Sequence, residues 1–294
     1  MGSKFFQESK EYSMLHHAVR MNSPEKVMHL LQTGHDVNIR DQAGQVPIHL
    51  AVQKDYVSIL KILLDHHADI EAKSSLGDTA LHISSSHGHI RSVAVLIAKG
   101  ANINAENEEN KTPLHMASEN NNFDITKLLV EHGANIESVD VDGNTPLCFA
   151  DRNIAEYLIK KGADVKATNN AGETILHLTD PDVAELLIQN GADVNQLDNS
   201  NWTPLHFARW ELSEILIDNG ADLHAKDRYG WTALHFAADR GDIKKTELLL
   251  KKGVRTDSID RNGHTALRIA EEKSHHAVVR LIKKHVSTKR LGSI

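Results

Sequence analysis

Asp227-Arg228-Tyr229-Gly230-Trp231-Thr232-Ala233-Leu234-His235-Phe236-Ala237-Ala238 is the stretch that decides the fold. Its first four residues have the polar, glycine-ended chemistry of a tight turn. Thr232 then reads as a helix cap, because its hydroxyl can satisfy an orphan backbone N–H of the first turn. Moving outward, a tetrad like Thr232-Ala233-Leu234-His235 begins at residues 13, 46, 79, 112, 145, 174, 203, 232 and 265. The spacings are 33, 33, 33, 33, 29, 29, 29 and 33, with no insert large enough to hold a second domain. A fixed period of this length is the mark of a tandem array.

Four of the six prolines, Pro47, Pro113, Pro146 and Pro204, stand directly after the cap, where a missing N–H costs nothing. A glycine at 34, 100, 133, 162, 191, 220 and 253 marks the end of a second helix, and His67 takes that place in repeat two. Another glycine precedes the tetrad by two residues at 44, 77, 143, 172, 230 and 263, with Asn110 and Asn201 filling the gaps. Thirteen of the seventeen glycines thus answer to two backbone positions that favour positive φ. Between these marks lie two short apolar patterns. In repeat four they are Leu114, Met116 and Ala117, then Ile125, Leu128, Leu129 and Val130. Each fits one helix face, and helices this short must pack on one another and on the next copy to be stable.

The quoted stretch, with Asn190-Gly191-Ala192-Asp193-Val194-Asn195 and its counterparts, resembles the ankyrin repeat family over residues 11 to 285. The resemblance implies an all-α repeat solenoid, each copy a β-turn finger, two antiparallel helices and a loop, stacked into a curved, elongated array. The expected divisions are an N-terminal capping segment (1–12), nine repeats (13–285) and a C-terminal tail (286–294). Phe5 and Phe6 are expected to fold over the first helix pair. Ala277 to Lys284, apolar on one side and basic on the other, is expected to cover the far end.

Composition narrows the classes further. One cysteine, Cys148, excludes a disulfide framework and a Cys-rich zinc site, which points to a reducing, cytoplasmic setting. No aliphatic run approaches the ~20 residues that span a bilayer, and no secretory h-region is visible. Met1-Gly2 is followed by Phe6 where a myristoylation signal wants Ser or Thr. Ile243–Ile294 carries 13 Lys+Arg against 5 Asp+Glu, while the remainder carries 20 against 35. Basic residues along the repeats would be needed for nucleic acid, so none is expected as a partner.

No phosphate-cradling loop, nucleophile elbow or H-E-x-x-H motif is present, so a non-enzyme without cofactor is expected. Seven of the twenty histidines (16, 49, 82, 115, 177, 206 and 235) hold the tetrad's last place, where the resemblance implies hydrogen bonds between adjacent loops. The remaining histidine neighbours lack further ligands at zinc spacing, so no metal is expected. Repeats five to seven are four residues short between cap and glycine, which places the loss in the first helix or the turn after it. Drift in loop length and a notch shaped for a partner both account for this.

The three tryptophans cluster with Tyr229, as Trp202, Trp210, Tyr229 and Trp231. By resemblance these finger and post-helix positions face the partner-binding groove, and Trp, Tyr and Arg are common anchors of interfaces. Arg228, Asp239 and Arg240 flank them. The competing reading is that Trp202 and Trp231 pack across neighbouring fingers. Asn38, Asn104 and Asn195 occupy a position that, by resemblance, is either an asparaginyl hydroxylase substrate or a loop hydrogen-bonder. The function expected is a monomeric, non-catalytic module that binds a protein partner through the groove, anchored at repeats seven and eight. Alternatives are a host-directed effector of an intracellular microbe, acting in the host cytosol, and a substrate-recruiting subunit of an enzyme complex.

Overall fold

A computed structural model describes residues 13–291, with side chains to residue 288. The expected cap at 1–12, with Phe5 and Phe6, lies outside the described residues. The chain forms two compact units, Met1–Ala163 and Asp164–Ile294. In the first unit the helices are α1 (Met14–Arg20), α2 (Pro24–Gln32), α3 (Pro47–Gln53), α4 (Val57–Asp65), α5 (Ala80–Ser86), α6 (Ile90–Ala98), α7 (Pro113–Glu119), α8 (Phe123–Glu131) and α9 (Arg152–Lys160), with a 3₁₀ turn at Pro146–Phe149. The second unit holds α10 (Ile175–Leu178), α11 (Pro181–Gln189), α12 (Pro204–Phe207), α13 (Trp210–Asp218), α14 (Ala233–Arg240), α15 (Ile243–Lys251), α16 (Ala266–Glu272) and α17 (His276–Leu291). Among the described residues there is no strand, only the isolated bridges Thr168–Thr174 and Ile259–Thr265.

Each tetrad opens the first helix of its repeat. The fourth residue then fixes the cap from inside: at His82 the Nδ1 accepts the backbone N–H of Thr79 at 3.2 Å and lies 2.9 Å from the threonine hydroxyl. The same pairing recurs at Thr112/His115, Thr174/His177, Thr203/His206 and Thr232/His235. With Nδ1 accepting, Nε2 carries the proton, and it points at a carbonyl of the following finger or, for His49, of the loop just before it. His49 reaches Ala72, His82 reaches Lys111, His115 reaches Asn144, His177 reaches Trp202 and His206 reaches Trp231, at 2.8–3.2 Å. The tetrad histidines therefore tie adjacent loops, as the resemblance implied.

The fingers are tight turns. Asp227 Oδ1 accepts the N–H groups of Tyr229 and Trp231, while Gly230 N donates to the Asp227 carbonyl. Asp41, Asp140, Asp198 and Asp260 build the same loop, and Ser74, Asn107 and Asn169 substitute for aspartate. Successive fingers are linked through the backbone, as in Glu108 N to Leu76 O at 3.1 Å and Arg261 N to Tyr229 O at 2.9 Å.

All thirteen glycines assigned to two slots have positive φ, and so do His67 (63°), Asn110 (55°) and Asn201 (60°). A third slot went unread. Asn22, Asp55, Gly88, Asn121, Gly241 and Ser274 are also left-handed, each at the turn between the two helices of a full-length repeat. Repeats five to seven have no such residue because they lack that turn. Their first helices shrink to four residues, Pro146–Phe149 as a 3₁₀ turn in the first unit, and α10 and α12 in the second. The second helix keeps nine residues from α2 to α15, so the deletion falls entirely on the first helix and its turn.

Leu, Ile, Val and Ala fill the core, and among the described residues no aromatic ring is one of its fully buried hydrophobic side chains. At the far end Val278 and Ile282 of α17 are buried against the preceding helices while Lys283 and Lys284 stay exposed. α17 continues to Leu291, into the stretch 286–294 expected as a tail.

Candidate partner-binding face

Trp202 and Trp231 end the fingers that lead into α12 and α14, and both are half-buried. Neither indole is free. Trp202 Nε1 donates to Asp227 Oδ2 at 2.9 Å, and Trp231 Nε1 donates to Asp260 Oδ2 at 3.2 Å, so each ring is bound to the turn aspartate of the next repeat. Burial alone would raise the Asp260 carboxyl; the N–H groups of His264 and Asn262 and the Trp231 indole outweigh it and hold the pKa below the usual carboxylate range.

Two phenylalanines complete the cluster. Phe207 and Phe236 each follow a tetrad histidine, and both are half-buried. Trp202 meets Phe207 edge-on at 4.4 Å between centroids, Trp231 meets Phe236 at 5.0 Å, and Phe207 lies 5.0 Å from Phe236. Such pairs add about 0.5–1.5 kcal/mol beyond their burial. Neither phenylalanine was singled out from the sequence. The available signal was that the residue after a tetrad histidine lies on the same helix edge as the end of its finger.

The packing reading of the tryptophans therefore has direct geometric support. Removing both indoles strands two buried aspartate oxygens and opens the ring cluster, so the variant loses stability along with any contact surface. A Trp202/Trp231 double substitution is therefore expected to lower the melting temperature.

The other candidates are less committed. Tyr229 is 56% exposed at a finger tip. The Arg228 guanidinium lies 5.9 Å from its ring centroid and donates to the Ser200 hydroxyl. Arg240, exposed at the end of α14, lies over Phe207 at 5.0 Å. Trp210 opens α13 and carries the Lys244 ammonium at 4.7 Å. Asp239 is paired with Lys273 at 3.2 Å, which turns it toward repeat nine.

Lys245 was missed altogether. It is the third residue of α15, a place held by Ile59, Ile125, Ile154, Val183, Leu212 and Val278 in six of the other second helices, and by an exposed Lys26 in α2 and Ser92 in α6. Only 3% of it is exposed, and its ammonium donates to the carbonyls of Leu205 (2.8 Å), His206 (3.1 Å) and Ala208 (2.8 Å). Those carbonyls end the shortened α12, where the lost turn would have supplied N–H partners. One lysine from repeat eight thus caps the truncated helix of repeat seven. Burial pushes its pKa down to about 7, with Asp242 opposing and Arg240 reinforcing the shift. One of three lysines on an amphipathic helix, Lys245 gives no hint of this role in the sequence.

The three asparagines bridge loops. The Oδ1 atoms of Asn38, Asn104 and Asn195 accept the N–H groups of Asp69, Asn135 and Asp222, each at 2.8 Å. Among the described residues no group of three or more His, Cys, Asp or Glu gathers as metal ligands would, and no helix is long and apolar enough to cross a membrane.

Tandem helix pairs with linked turn fingers define a tandem repeat array. The family model for ankyrin repeats matches residues 15–107, 104–169, 150–227 and 209–290, and the chain belongs to that family. Ankyrin repeats are protein–protein interaction modules and are generally non-catalytic. The chain is also similar to an ankyrin repeat protein of fowlpox virus (strain NVSL), 51% identical over 53 residues. That match covers 18% of this chain and 12% of the viral protein.

Proposed function

We propose that this protein binds a protein partner on the face formed by the fingers and first helices of repeats seven and eight, without catalysing a reaction. The observation that carries this is the half-exposed ring cluster of Trp202, Phe207, Trp231 and Phe236, extended by the exposed Tyr229 and flanked by Arg228 and Arg240. Aromatic rings beside arginine anchor interfaces out of proportion to their area. The test is affinity capture with the unaltered chain and with Tyr229→Ala/Phe236→Leu, which spares both indole–aspartate bonds. The captured partner should be lost from the variant, which should still unfold cooperatively, a few degrees below the parent at most because the Phe236 ring contacts are gone. Equal capture by both chains removes this face from consideration.

A host-directed role is favoured by one observation, the likeness to a poxvirus ankyrin protein. Capture from vertebrate-cell extract against extract of the source organism tests it, because an effector takes its partner from the former. Asn38, Asn104 and Asn195 are assigned to loop bridging, since their amide oxygens already accept backbone N–H groups. An increase in intact mass after incubation with an asparaginyl hydroxylase would return them to the list of modification sites.

A further inference from the structure

Beside the ring cluster lies a small cleft whose charge is unbalanced. Its walls include Phe207, Arg209, Phe236, Arg240, Asp242 and Lys245. Arg209 and Arg240 are cations, Lys245 with its pKa lowered to about 7 carries part of a charge, and Asp242 is the one carboxylate. Asp242 is already committed, since its Oδ1 accepts the N–H of Lys245 at the start of α15. Lys245 spends its donors on three carbonyls, so it has no hydrogen bond to offer the cleft and adds only part of a charge. Arg209 and Arg240 have donors to spare: both are exposed, and among the described residues neither is paired with a carboxylate. Lys244, next to the cleft on the Trp210 ring, is likewise unpaired. Two carboxylates lie close by. Asp239 is held by Lys273, and Glu211 stands exposed in the first turn of α13.

Phe207 and Phe236 belong to the cleft and to the ring cluster at once, so a cationic notch and an aromatic surface share a wall. A ligand that satisfies both carries a carboxylate next to an apolar side chain. Guanidinium groups recognise carboxylate through paired, charge-assisted hydrogen bonds, and complementary charge sets register and on-rate at an interface. A polynucleotide would want a basic track, whereas this site offers one notch beside rings that are already packed edge-on and tilted against each other.

We propose that this face takes an acidic segment of a protein partner, with an Asp or Glu side chain seated between Arg209 and Arg240 and a neighbouring apolar side chain laid on Phe207 and Phe236. This rests on the reading of the face given above and adds the chemistry of its occupant. The test is selection of a displayed random dodecapeptide library on the full chain, followed by titration of the recovered peptides against Arg209→Gln/Arg240→Gln and, separately, Phe236→Leu. The expected peptides are rich in Asp or Glu adjacent to a large apolar residue. They should bind about tenfold more weakly to the double arginine variant and lose affinity as salt rises. Both arginines are exposed, so circular dichroism and melting of that variant should match the parent.

Peptides that depend on Phe236 but ignore the arginine change would overturn the acidic occupant and leave the binding face standing. Peptides indifferent to both variants would remove the face as well. Recovery of no peptide, or recovery of peptides without acidic enrichment, also counts against the proposal. So does displacement of the acidic peptides by a single-stranded oligonucleotide of equal length at lower concentration, which would mark the cleft as a phosphate site.

Discussion

At the scale of single residues, hidden polar groups decide more than the exposed ones. The tetrad histidines 16, 49, 82, 115, 177, 206 and 235 all have pKa values pushed below 6.5, chiefly by burial, with a carbonyl hydrogen bond opposing. The unfolded chain therefore binds more protons than the folded one as pH falls through 6.5. Their contribution to stability is present above that value and is lost toward acid, by at most about 1.4 kcal/mol per pH unit for each histidine. Urea unfolding between pH 7.5 and 5 should show a steep loss, and His82→Gln should make it shallower. A flat profile would mean that the imidazoles are accessible to protons in the fold. Lys245→Met gives a second expectation at this scale. It leaves the carbonyls of Leu205, His206 and Ala208 without a donor, at about 1–3 kcal/mol for each buried unpaired group, partly offset by sparing a buried charge. A net loss of about 2–3 kcal/mol is expected by denaturant titration, against about 1 kcal/mol for Leu212→Met at the equivalent place.

At the scale of the element, the helix pair was legible because backbone geometry restricts residue type. Only glycine, or asparagine at some cost, sits comfortably where φ is positive, and Thr-Pro starts a helix with few alternatives. Hence Gly77, Gly143 and Asn110 could be assigned before any coordinates. The third left-handed slot was not legible, because Asn22, Asp55, Gly88, Asn121, Gly241 and Ser274 share no single residue type. Trp202 and Trp231 stand at finger ends in the sequence, but their acceptors, Asp227 and Asp260, belong to the next repeat, where turn chemistry alone accounts for an aspartate. Two substitutions separate the terms. Gly77→Ala meets both a left-handed φ of 77° and the Glu108 backbone N at 2.6 Å from the new Cβ, so it should cost more than the ~1–2 kcal/mol of left-handed strain alone. Ser274→Gly relieves strain at φ 60° and should raise the stability of the second unit by up to about 1 kcal/mol. Thermal melting of the two variants reads both signs.

At the scale of the whole molecule, a tandem array holds itself together through neighbours, so damage should spread only as far as the contacts do. Hydrogen exchange on Lys245→Met is expected to show lost protection in α12 through α16, while α3 through α6 keep theirs. Uniform loss along the chain would argue for a single cooperative block. Charge follows a similar division of labour. The basic excess after Ile243 includes Lys252, Lys273 and Lys283, each paired with an acidic residue of the repeats. Part of that excess is thus spent internally rather than offered to a partner.

The Lys245 clasp has one more consequence, for how the copies can be ordered. Its ammonium needs a preceding repeat whose first helix stops early and leaves carbonyls open. Moved behind a full-length copy such as repeat three, repeat eight would set that charge against a helix still bonding its own carbonyls for another turn. The copies look like identical beads, yet this one is keyed to its predecessor. Shuffling repeats, by recombination or by design, should be tolerated at most junctions and rejected at this one.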